Sequence, residues 1–482
     1  MSIIENMKPE LVWKQFDAIR KIPRCSKHEE KIREYLLDFA DKHGFDVKTD
    51  EVKNVVIKKD AAKGMENKPI VVLQSHMDMV CEKNSDVDFD FSKDPIALKV
   101  DGDILTADGT TLGADDGIGI AASLAILEDT SLSLGAIEAL FTVDEETGLT
   151  GAFALSSDML DGRILLNLDS EDWGVLTVGC AGGGNSDITL PIKKQSAPSD
   201  KEWFKINVSG LRGGHSGVDV NEQRANAVKV LIRILWKISN DYDICVSEIF
   251  GGDKHNAIPR ESHAILGVSK NDKSDIIALI EKESNAICEE YKPIDPNCSI
   301  TTTDETIPET ILEKSSQKTL IDLMNALPHG VDKMSYDIEG LVETSTNCAK
   351  IRIEKDVASI QLSSRSSIMS ALHDFRNRIH AIVNLAGGTV IEDEPYPGWK
   401  PNLQSNILKL SKEIYTKKYG KEPVVEAIHA GLECGIIGEK FDGMDAISIG
   451  PTVKYPHSPE EQVHISTVSK FYDFVVEIIK SV

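Results

Sequence analysis

Short apolar runs alternate with helical patterns along the first third of the chain, and this alternation limits the possible folds more than any other feature. Strand-like apolar runs lie at 69–73, 136–143 and 164–168, and an Ala-rich helical pattern at 118–127 separates the first two. Such alternation is typical of a parallel sheet whose faces are both covered by helices. It predicts an α/β fold with a mixed, mostly parallel sheet and helices on both faces.

A different pattern interrupts this alternation after residue 186, and the first pattern returns after about residue 396. The interruption contains strand-like runs such as 359–362 and long helical patterns such as 226–238, which together indicate an α+β layer. A chain of 482 residues also exceeds what one core usually supports. We therefore expect a discontinuous main domain, 1–186 plus 396–482, and an inserted domain, 187–395.

The composition excludes several kinds of partner. The chain carries 53 Lys and Arg against 78 Asp and Glu, a formal charge of −25, which argues against nucleic acid and anionic membranes as partners. The first residues lack the apolar run of a signal peptide, and no apolar stretch is long enough to span a membrane. Eight scattered cysteines without a CxxC pair favour a cytoplasmic protein with free thiols.

Histidine and carboxylate side chains follow the ends of four predicted strands of the main domain. They are His76 and Asp78, Glu145 and Glu146, Asp169, and His457. Two further carboxylates, Asp115 and Asp116, precede the predicted helix between the first strands. Because ligands of open α/β sheets bind beyond the carboxyl ends of the strands, we expect these side chains to meet at one edge.

Each of these side chains also has an ordinary explanation. A single histidine after a strand is commonly a surface or core residue, paired glutamates commonly lie in a solvated turn, and Asp115 with Asp116 would cap a helix. Their coincidence in five segments favours a metal site, since clustered carboxylates repel one another and bound cations offset the repulsion. Imidazoles and carboxylates without thiolates suit zinc, with manganese and cobalt as alternatives.

Two local spacings indicate different roles for neighbouring residues of such a site. His76 and Asp78 share one face of a strand, so Asp78 is placed to orient His76 as a ligand. Glu145 and Glu146 point in different directions, so one of them can bind a metal while the other moves protons. The spacing alone does not say which glutamate does which.

These residues, taken together, resemble the two-zinc metallopeptidases that include aminoacylase, carboxypeptidase G, tripeptidase and carnosinase. The segments 74–83, 108–119 and 144–152 resemble most the branch of that family that cleaves dipeptides ending in histidine. Gly117 departs from the wider family, because many relatives carry Lys two residues after the bridging aspartate. The resemblance spans nearly the whole chain and implies a zinc-peptidase-like main domain.

The resemblance implies roles for the metal-site residues. It implies two zinc ions per chain, with Asp115 bridging them, His76 and Asp169 completing one site, and Glu146 and His457 completing the other. It makes Glu145 the general base that takes a proton from the metal-bridging water, and Asp78 the residue that orients His76. Manganese or cobalt would be substitutes for zinc.

The inserted segment contains GGHSG at 213–217 and NAIP at 256–259, which resemble the lid domain of that family. By resemblance, His215 donates to the oxyanion, from the same subunit or from the partner of a homodimer formed through the lid domain. Arg365 resembles the clamp for the substrate's C-terminal carboxylate, although a charged strand end is its ordinary alternative. Asn256 and Gly431 are weaker candidates for contacts with the substrate.

The resulting hypothesis is metal-dependent hydrolysis of small peptides, chiefly Xaa-His dipeptides such as carnosine (β-alanyl-L-histidine), with broad tolerance. An aminoacylase-type amidohydrolase or a tripeptidase with the same two-metal site is the alternative. A binding protein that retains only the fold is a third hypothesis. The presence of Glu145 argues against it, because a protein that only binds metal has no need of that second carboxylate.

Overall fold

The computed structural model describes residues 3–4 and 6–482. The chain divides into two compact units. The first unit consists of Met1–Gly179, Trp399–Ala427 and Leu432–Val482, and the inserted unit of Cys180–Gly398 and Ile428–Gly431. The chain therefore leaves the first unit once for a long excursion and once more for only a few residues.

Helices occur in both units. In chain order the α-helices are α1 Glu10–Ile19, α2 Glu30–His43, α3 Ala114–Glu128, α4 Glu145–Gly148, α5 Thr150–Ala154, α6 Ala227–Asp241, α7 Lys273–Tyr291, α8 Lys314–Ala326, α9 Met369–Leu385, α10 Asn406–Tyr419, α11 Glu433–Lys440 and α12 Ile465–Ser481. A short 3-10 helix lies at Val220–Glu222. Helices α6 to α9 belong to the inserted unit.

Strands form the larger number of elements. In chain order they are β1 Asp46–Thr49, β2 Val55–Lys59, β3 Val71–His76, β4 Leu98–Asp101, β5 Ile104–Ala107, β6 Ile137–Thr142, β7 Ile164–Asn167, β8 Val175–Cys180, β9 Gly182–Pro191, β10 Lys194–Ser196, β11 Lys201–Ser209, β12 Gly214–His215, β13 Cys245–Gly251, β14 Ala257–Ile258, β15 Ser262–Ser269, β16 Ser299–Asp304, β17 Thr310–Leu312, β18 Gly330–Met334, β19 Val342–Glu354, β20 Val357–Ser366, β21 Thr389–Glu392, β22 Val424–Ile428, β23 Asp445–Ser448, β24 Val453–Lys454 and β25 Gln462–His464.

The central sheet has the strand order β1-β2-β6-β3-β7-β23-β8-β22. Its four central strands, β6, β3, β7 and β23, are parallel to one another. Strands β1 and β2 on one side and β8 on the other pair antiparallel. The predicted α/β fold with a mixed sheet is thus confirmed, with parallel pairing among its four central strands.

Helices cover both faces of the central strands, as predicted. Val72 of β3 and Leu140 of β6 pack in one apolar cluster with Ile437 of α11 and Phe441 just after it. Alternate residues such as Leu73 point to the other face, and α3 packs against β3. Since β3 and β6 are buried along their whole length, their ends can hold polar side chains away from water.

The inserted unit is built on an antiparallel sheet. Its strand order is β16-β11-β15-β13-β19-β20-β9-β21, and β18 also pairs with β19. Helices α6 to α9 supply much of the apolar core, with Leu231 and Leu235 of α6 beside Phe204 of β11 and Leu266 of β15. This is the α+β arrangement expected of the inserted segment.

The expectation that all cysteines are free thiols is wrong. Cys25 is disulfide-bonded to Cys81, and Cys288 to Cys298, with Cα atoms 5.7 and 5.4 Å apart. The sequence hid both pairs because neither spacing matches a recognisable pattern. The other four cysteines are buried. Among the residues that the structure describes, no helix is both long and apolar enough to cross a bilayer.

Candidate functional site

The predicted ligands of the first unit meet at one edge of the central sheet. His76 is the last residue of β3, Asp169 follows the end of β7 by two residues, and Glu145 begins α4, shortly after β6. These three strands are parallel neighbours, so their carboxyl ends lie side by side. Asp115, near the start of α3, and His457, between β24 and β25, complete the group.

His76 faces carboxylates on both sides of its ring. Its Nε2 atom lies 3.0 Å from Oδ1 of Asp115 and 3.3 Å from Oδ1 of Asp169. Its Nδ1 atom lies 3.3 Å from Oδ1 of Asp78, and the side chain is only 1% exposed. Burial lowers the pKa of His76, but the three carboxylates outweigh burial and raise the pKa well above its ordinary value.

Asp115 also faces a second histidine. Its Oδ2 atom lies 3.3 Å from Nε2 of His457, which in turn lies 2.9 Å from Oε2 of Glu146. Hydrogen bonds to Asp115 and Glu146 raise the pKa of His457 to about 11. Asp115 therefore presents one oxygen to the His76 group and the other to the His457 group.

The side chains at this edge suit divalent cations. Three overlapping groups have ligand atoms within 4.8 Å of one another: His76 with Asp116 and Asp169, His76 with Glu145 and Glu146, and Asp115 with Glu146 and His457. Oε1 of Glu146 is buried and has no hydrogen-bond partner. Burial and the nearby carboxylates of Asp115 and Glu146 raise the pKa of Asp169 to about 7. A bound cation would relieve the repulsion among these carboxylates.

Asp116 is used differently from Asp115. Its Oδ2 atom accepts the backbone N–H of His76 at 3.3 Å, and its Oδ1 atom accepts that of Gly119 at 3.1 Å. The side chain thus ties the end of β3 to the first turn of α3. A side chain at position 119 would collide with this carboxylate, since an added Cβ would lie 2.2 Å from Oδ1.

Asp78 connects three of the predicted site residues. It is fully buried, faces Nδ1 of His76, and accepts the backbone N–H groups of Glu145 at 3.0 Å and Glu146 at 3.2 Å. Burial opposes its ionised form, but hydrogen bonds led by that from His76 lower the pKa of Asp78 to about 2. An ionised Asp78 therefore fixes both the imidazole ring and the start of α4.

A second polar cluster lies in the inserted unit and centres on Arg365. This residue belongs to β20, is 7% exposed, and donates from Nη1 to the hydroxyl of Tyr396 at 2.6 Å. Its Nε atom is buried without a hydrogen-bond partner. A buried guanidinium with an unused donor is suited to bind a carboxylate.

His215 belongs to the same cluster and has a defined tautomer. Its Nδ1 atom accepts the backbone N–H groups of Gly217 at 3.3 Å and Val218 at 3.1 Å, which leaves the ring proton on Nε2. Its own backbone N–H donates to Asp219 at 2.7 Å. Burial, followed by the charge of Arg365, lowers the pKa of His215 to about 4. The imidazole is therefore a neutral donor through Nε2.

His429 completes this cluster, although the sequence analysis did not select it. Its Nε2 atom lies 2.7 Å from the hydroxyl of Ser345, and burial followed by the charge of Arg365 lowers its pKa to about 3. An added Cβ at Gly217 would lie 2.1 Å from the carbonyl oxygen of His429 and 3.2 Å from Cδ of Arg365. This close approach explains the glycine that follows His215 and Ser216.

The two weaker candidates are placed through their backbones. The carbonyl of Asn256 accepts the N–H of Ser216 at 2.8 Å, while the Asn256 side chain is exposed. Gly431 follows Ala430, whose carbonyl accepts the N–H of Ala181 at 3.0 Å. The structure thus joins Asn256 to the loop of His215 and puts Gly431 two residues after His429.

Comparison with known proteins is decisive about the family. The model of peptidase family M20/M25/M40 matches residues 72–481. The chain belongs to this family. It is similar to the cytosol non-specific dipeptidase of Escherichia coli (strain K12), with 38% identity over 483 residues that cover 100% of this chain and 99% of the relative.

Solved structures of peptidases give the same picture. The crystal structure of aminoacylhistidine dipeptidase from Vibrio alginolyticus is 40% identical, has a TM-score of 0.92, and covers 100% of this chain and 98% of its own. Aminopeptidase PepT from Bacillus cereus shares the fold at 16% identity, with a TM-score of 0.57 and 98% of each chain covered.

Several supporting residues of this peptidase were not predicted from the sequence. Beneath the metal-ligand candidates, buried Glu433 accepts hydrogen bonds from Gln74 at 2.5 Å and from Thr142 at 2.7 Å. Gln74 in turn accepts from Asn167 at 2.5 Å, so the network links the ends of β3, β6 and β7. Burial raises the pKa of Glu433 to about 7. The one sequence feature that indicates this network is the run of polar residues at the strand ends, such as Gln74 to His76.

The first prediction concerns cation binding by this peptidase. Protein freed of metal with a chelator should unfold at a higher temperature when zinc, manganese or cobalt is added, because the cations relieve repulsion among the carboxylates. At a free concentration one hundred times Kd, the expected gain is about 2.7 kcal/mol. The measurement is thermal unfolding at constant ionic strength.

The matched variants are His76→Ala and His464→Ala, which remove a predicted ligand and a partly exposed histidine of the same unit. His76→Ala should lose most of the gain, and His464→Ala should retain it. An equal gain in both variants would show that the cations bind elsewhere.

Proposed function

We propose that this protein is a metal-dependent dipeptidase that hydrolyses Xaa-His dipeptides such as β-alanyl-L-histidine and tolerates other dipeptides. The observation that carries the proposal is the position of Asp115, shared between two histidine-containing groups beside Glu145. Support for the substrate class comes from the similar proteins, one named a non-specific dipeptidase and the other an aminoacylhistidine dipeptidase.

The residues of the first unit would hold two zinc ions, with manganese or cobalt as substitutes. In this proposal the ligands are Asp115 between the ions, His76 and Asp169 at one of them, and Glu146 and His457 at the other. Bound cations of this kind polarise a scissile carbonyl and lower the pKa of a water molecule. The buried Oε1 atom of Glu146, which has no hydrogen-bond partner, supports this assignment.

Glu145 is the proposed general base. Its backbone N–H is held by Asp78 at 3.0 Å, so its side chain starts from a fixed position beside Glu146. Burial, with contributions from Asp169 and other carboxylates, raises its pKa well above the ordinary glutamate value. The Glu145 carboxylate would take a proton from the attacking water and later give it to the leaving amine.

The cluster of the inserted unit would recognise the peptide. Arg365, oriented by Tyr396, would bind the C-terminal carboxylate, for which a guanidinium offers paired donors. His215 would donate from Nε2 to the oxyanion that forms at the carbonyl. We propose supporting contacts with the substrate for Asn256 and Gly431.

The substrate class is tested with a panel of small substrates. Metal-loaded protein should cleave β-alanyl-histidine and other dipeptides much faster than tripeptides or N-acetyl amino acids. Glu145→Gln should lower kcat about 10²–10⁴-fold, because it removes the proton acceptor, while metal content stays unchanged. Product release by chromatography and metal analysis give both results.

The control variant is Glu51→Gln, at an exposed glutamate of the first unit, which should retain full activity. Preferential cleavage of N-acetyl amino acids would support an aminoacylase-type enzyme instead, and preferential cleavage of tripeptides a tripeptidase. Unchanged turnover in Glu145→Gln would disprove its role as the base.

The role of Arg365 is tested by combining a change of the arginine with a substrate that lacks the C-terminal carboxylate. Arg365→Lys should raise KM for a dipeptide roughly 10–100-fold, because a lysine cannot form the paired contact. The same change should have little further effect on the corresponding dipeptide amide, which lacks the carboxylate. The exposed Arg378 provides the control variant Arg378→Lys. Equal effects on acid and amide would contradict the assignment.

We also propose that the protein acts in the cytosol as a homodimer formed through the inserted unit. The location is supported by the name of the Escherichia coli relative, and the dimer by the family resemblance. Sedimentation equilibrium at micromolar concentration should give twice the mass of one chain. A single-chain mass across the whole concentration range would be incompatible with the dimer.

A further inference from the structure

We propose that Glu461 and Arg24 are positioning residues that hold the turn before Asp115, one through its N–H groups and the other through a carbonyl. Neither residue contacts a ligand atom of the proposed metal centre, so both act through the backbone. The inference rests on the proposed function, because it assigns the two residues the task of placing metal ligands.

Glu461 accepts four consecutive backbone N–H groups. Oε2 receives those of Leu112 at 2.7 Å and Gly113 at 2.9 Å, and Oε1 receives those of Ala114 at 2.7 Å and Asp115 at 3.3 Å. The glutamate is 2% exposed. Hydrogen bonds to an ionised acceptor are stronger than neutral ones, so this single carboxylate holds the whole turn.

The turn needs such an acceptor because its backbone is irregular. Gly113 has the left-handed φ of 68°, and Asp115 and Asp116 depart from helical geometry within α3. The first N–H groups of a helix have no partner within the helix itself. A buried carboxylate that satisfies them allows Asp115 to point at both His76 and His457.

Glu461 lies in the same loop as His457. The two residues are four apart in one loop, in which Tyr455 and His457 have the positive φ angles of 55° and 60°. The backbone N–H of Glu461 donates to the carbonyl of Ser458 at 3.0 Å, and β25 begins at the next residue. One side chain therefore joins the loop of His457 to the turn of Asp115.

Arg24 joins the same turn to the segment that follows β3. Its guanidinium, in a side chain only 2% exposed, donates to the carbonyls of Met77 at 3.2 Å and Asp78 at 2.5 Å. It also donates to the carbonyl of Gly113. Arg24 thereby links the turn before Asp115 to Asp78, whose side chain faces the ring of His76.

Two glycines make room for this guanidinium. An added Cβ would lie 2.6 Å from Nη2 of Arg24 at position 113 and 2.8 Å from it at position 117. Both distances are shorter than real Cβ contacts. The left-handed φ of 68° already favours glycine at position 113, so the independent sign that the local sequence is built around Arg24 is the absence of a side chain at Gly117.

The test compares Glu461→Gln with Glu460→Gln, a matched change at the exposed neighbour. Glutamine keeps the size of glutamate, but its NH₂ group cannot accept the N–H groups that it would face. Zinc affinity of each site is measured with a competing chelator, and circular dichroism of the metal-free protein monitors the fold. Binding of the second zinc ion should weaken about 10–100-fold in Glu461→Gln and remain unchanged in Glu460→Gln.

A second variant guards against a failure of Glu461→Gln to fold. Arg24→Lys keeps the charge but cannot reach all three carbonyls, so it should also weaken zinc binding. In both variants, raising free zinc should restore most of kcat, because the catalytic groups are intact and only their placement has changed. A general folding defect would not respond to zinc in this way.

Three results would overturn the inference. The first is zinc binding within twofold of the unaltered protein in a folded Glu461→Gln variant. The second is loss of the native circular dichroism signal in both variants, which would make the two residues purely structural. The third is a kcat that excess zinc does not restore. Absence of zinc binding in the unaltered protein would instead refute the proposed function, and this inference with it.

Discussion

Repulsion among buried carboxylates is the constraint on which the rest of the first unit depends. Asp115, Glu146 and Asp169 meet Glu145 at one edge of the central sheet, where their side chains are largely shielded from water. Such a group persists only if cations bind to it and if the backbone holds its members in place. The surrounding side chains supply the second condition, since Asp78 accepts two backbone N–H groups near these carboxylates.

In the inserted unit the buried charge is positive, because the polar cluster centres on the guanidinium of Arg365. The charge of Arg365 adds to the effect of burial and keeps His215 and His429 neutral, with pKa values of about 4 and 3. Neutral imidazoles can donate hydrogen bonds without repelling the guanidinium.

Much of this arrangement could be predicted from the sequence, because it depends on local patterns. His76 ends one apolar strand and Glu145 lies shortly after another, and parallel pairing then brings the two strand ends together. Glu461 could not be found in this way, since its partners are backbone N–H groups about 350 residues earlier in the chain. A backbone partner leaves no pattern in the sequence, and the brief return of 428–431 to the inserted unit leaves none either.

Gly117 has a physical explanation in the same network. A Cβ added at this position would lie 2.8 Å from Nη2 of Arg24, so a side chain there would displace the guanidinium. The positive charge of Arg24 lies near Asp115, and its guanidinium also binds three backbone carbonyls. One guanidinium therefore both offsets the negative charge of nearby carboxylates and holds the backbone of the two segments that carry them.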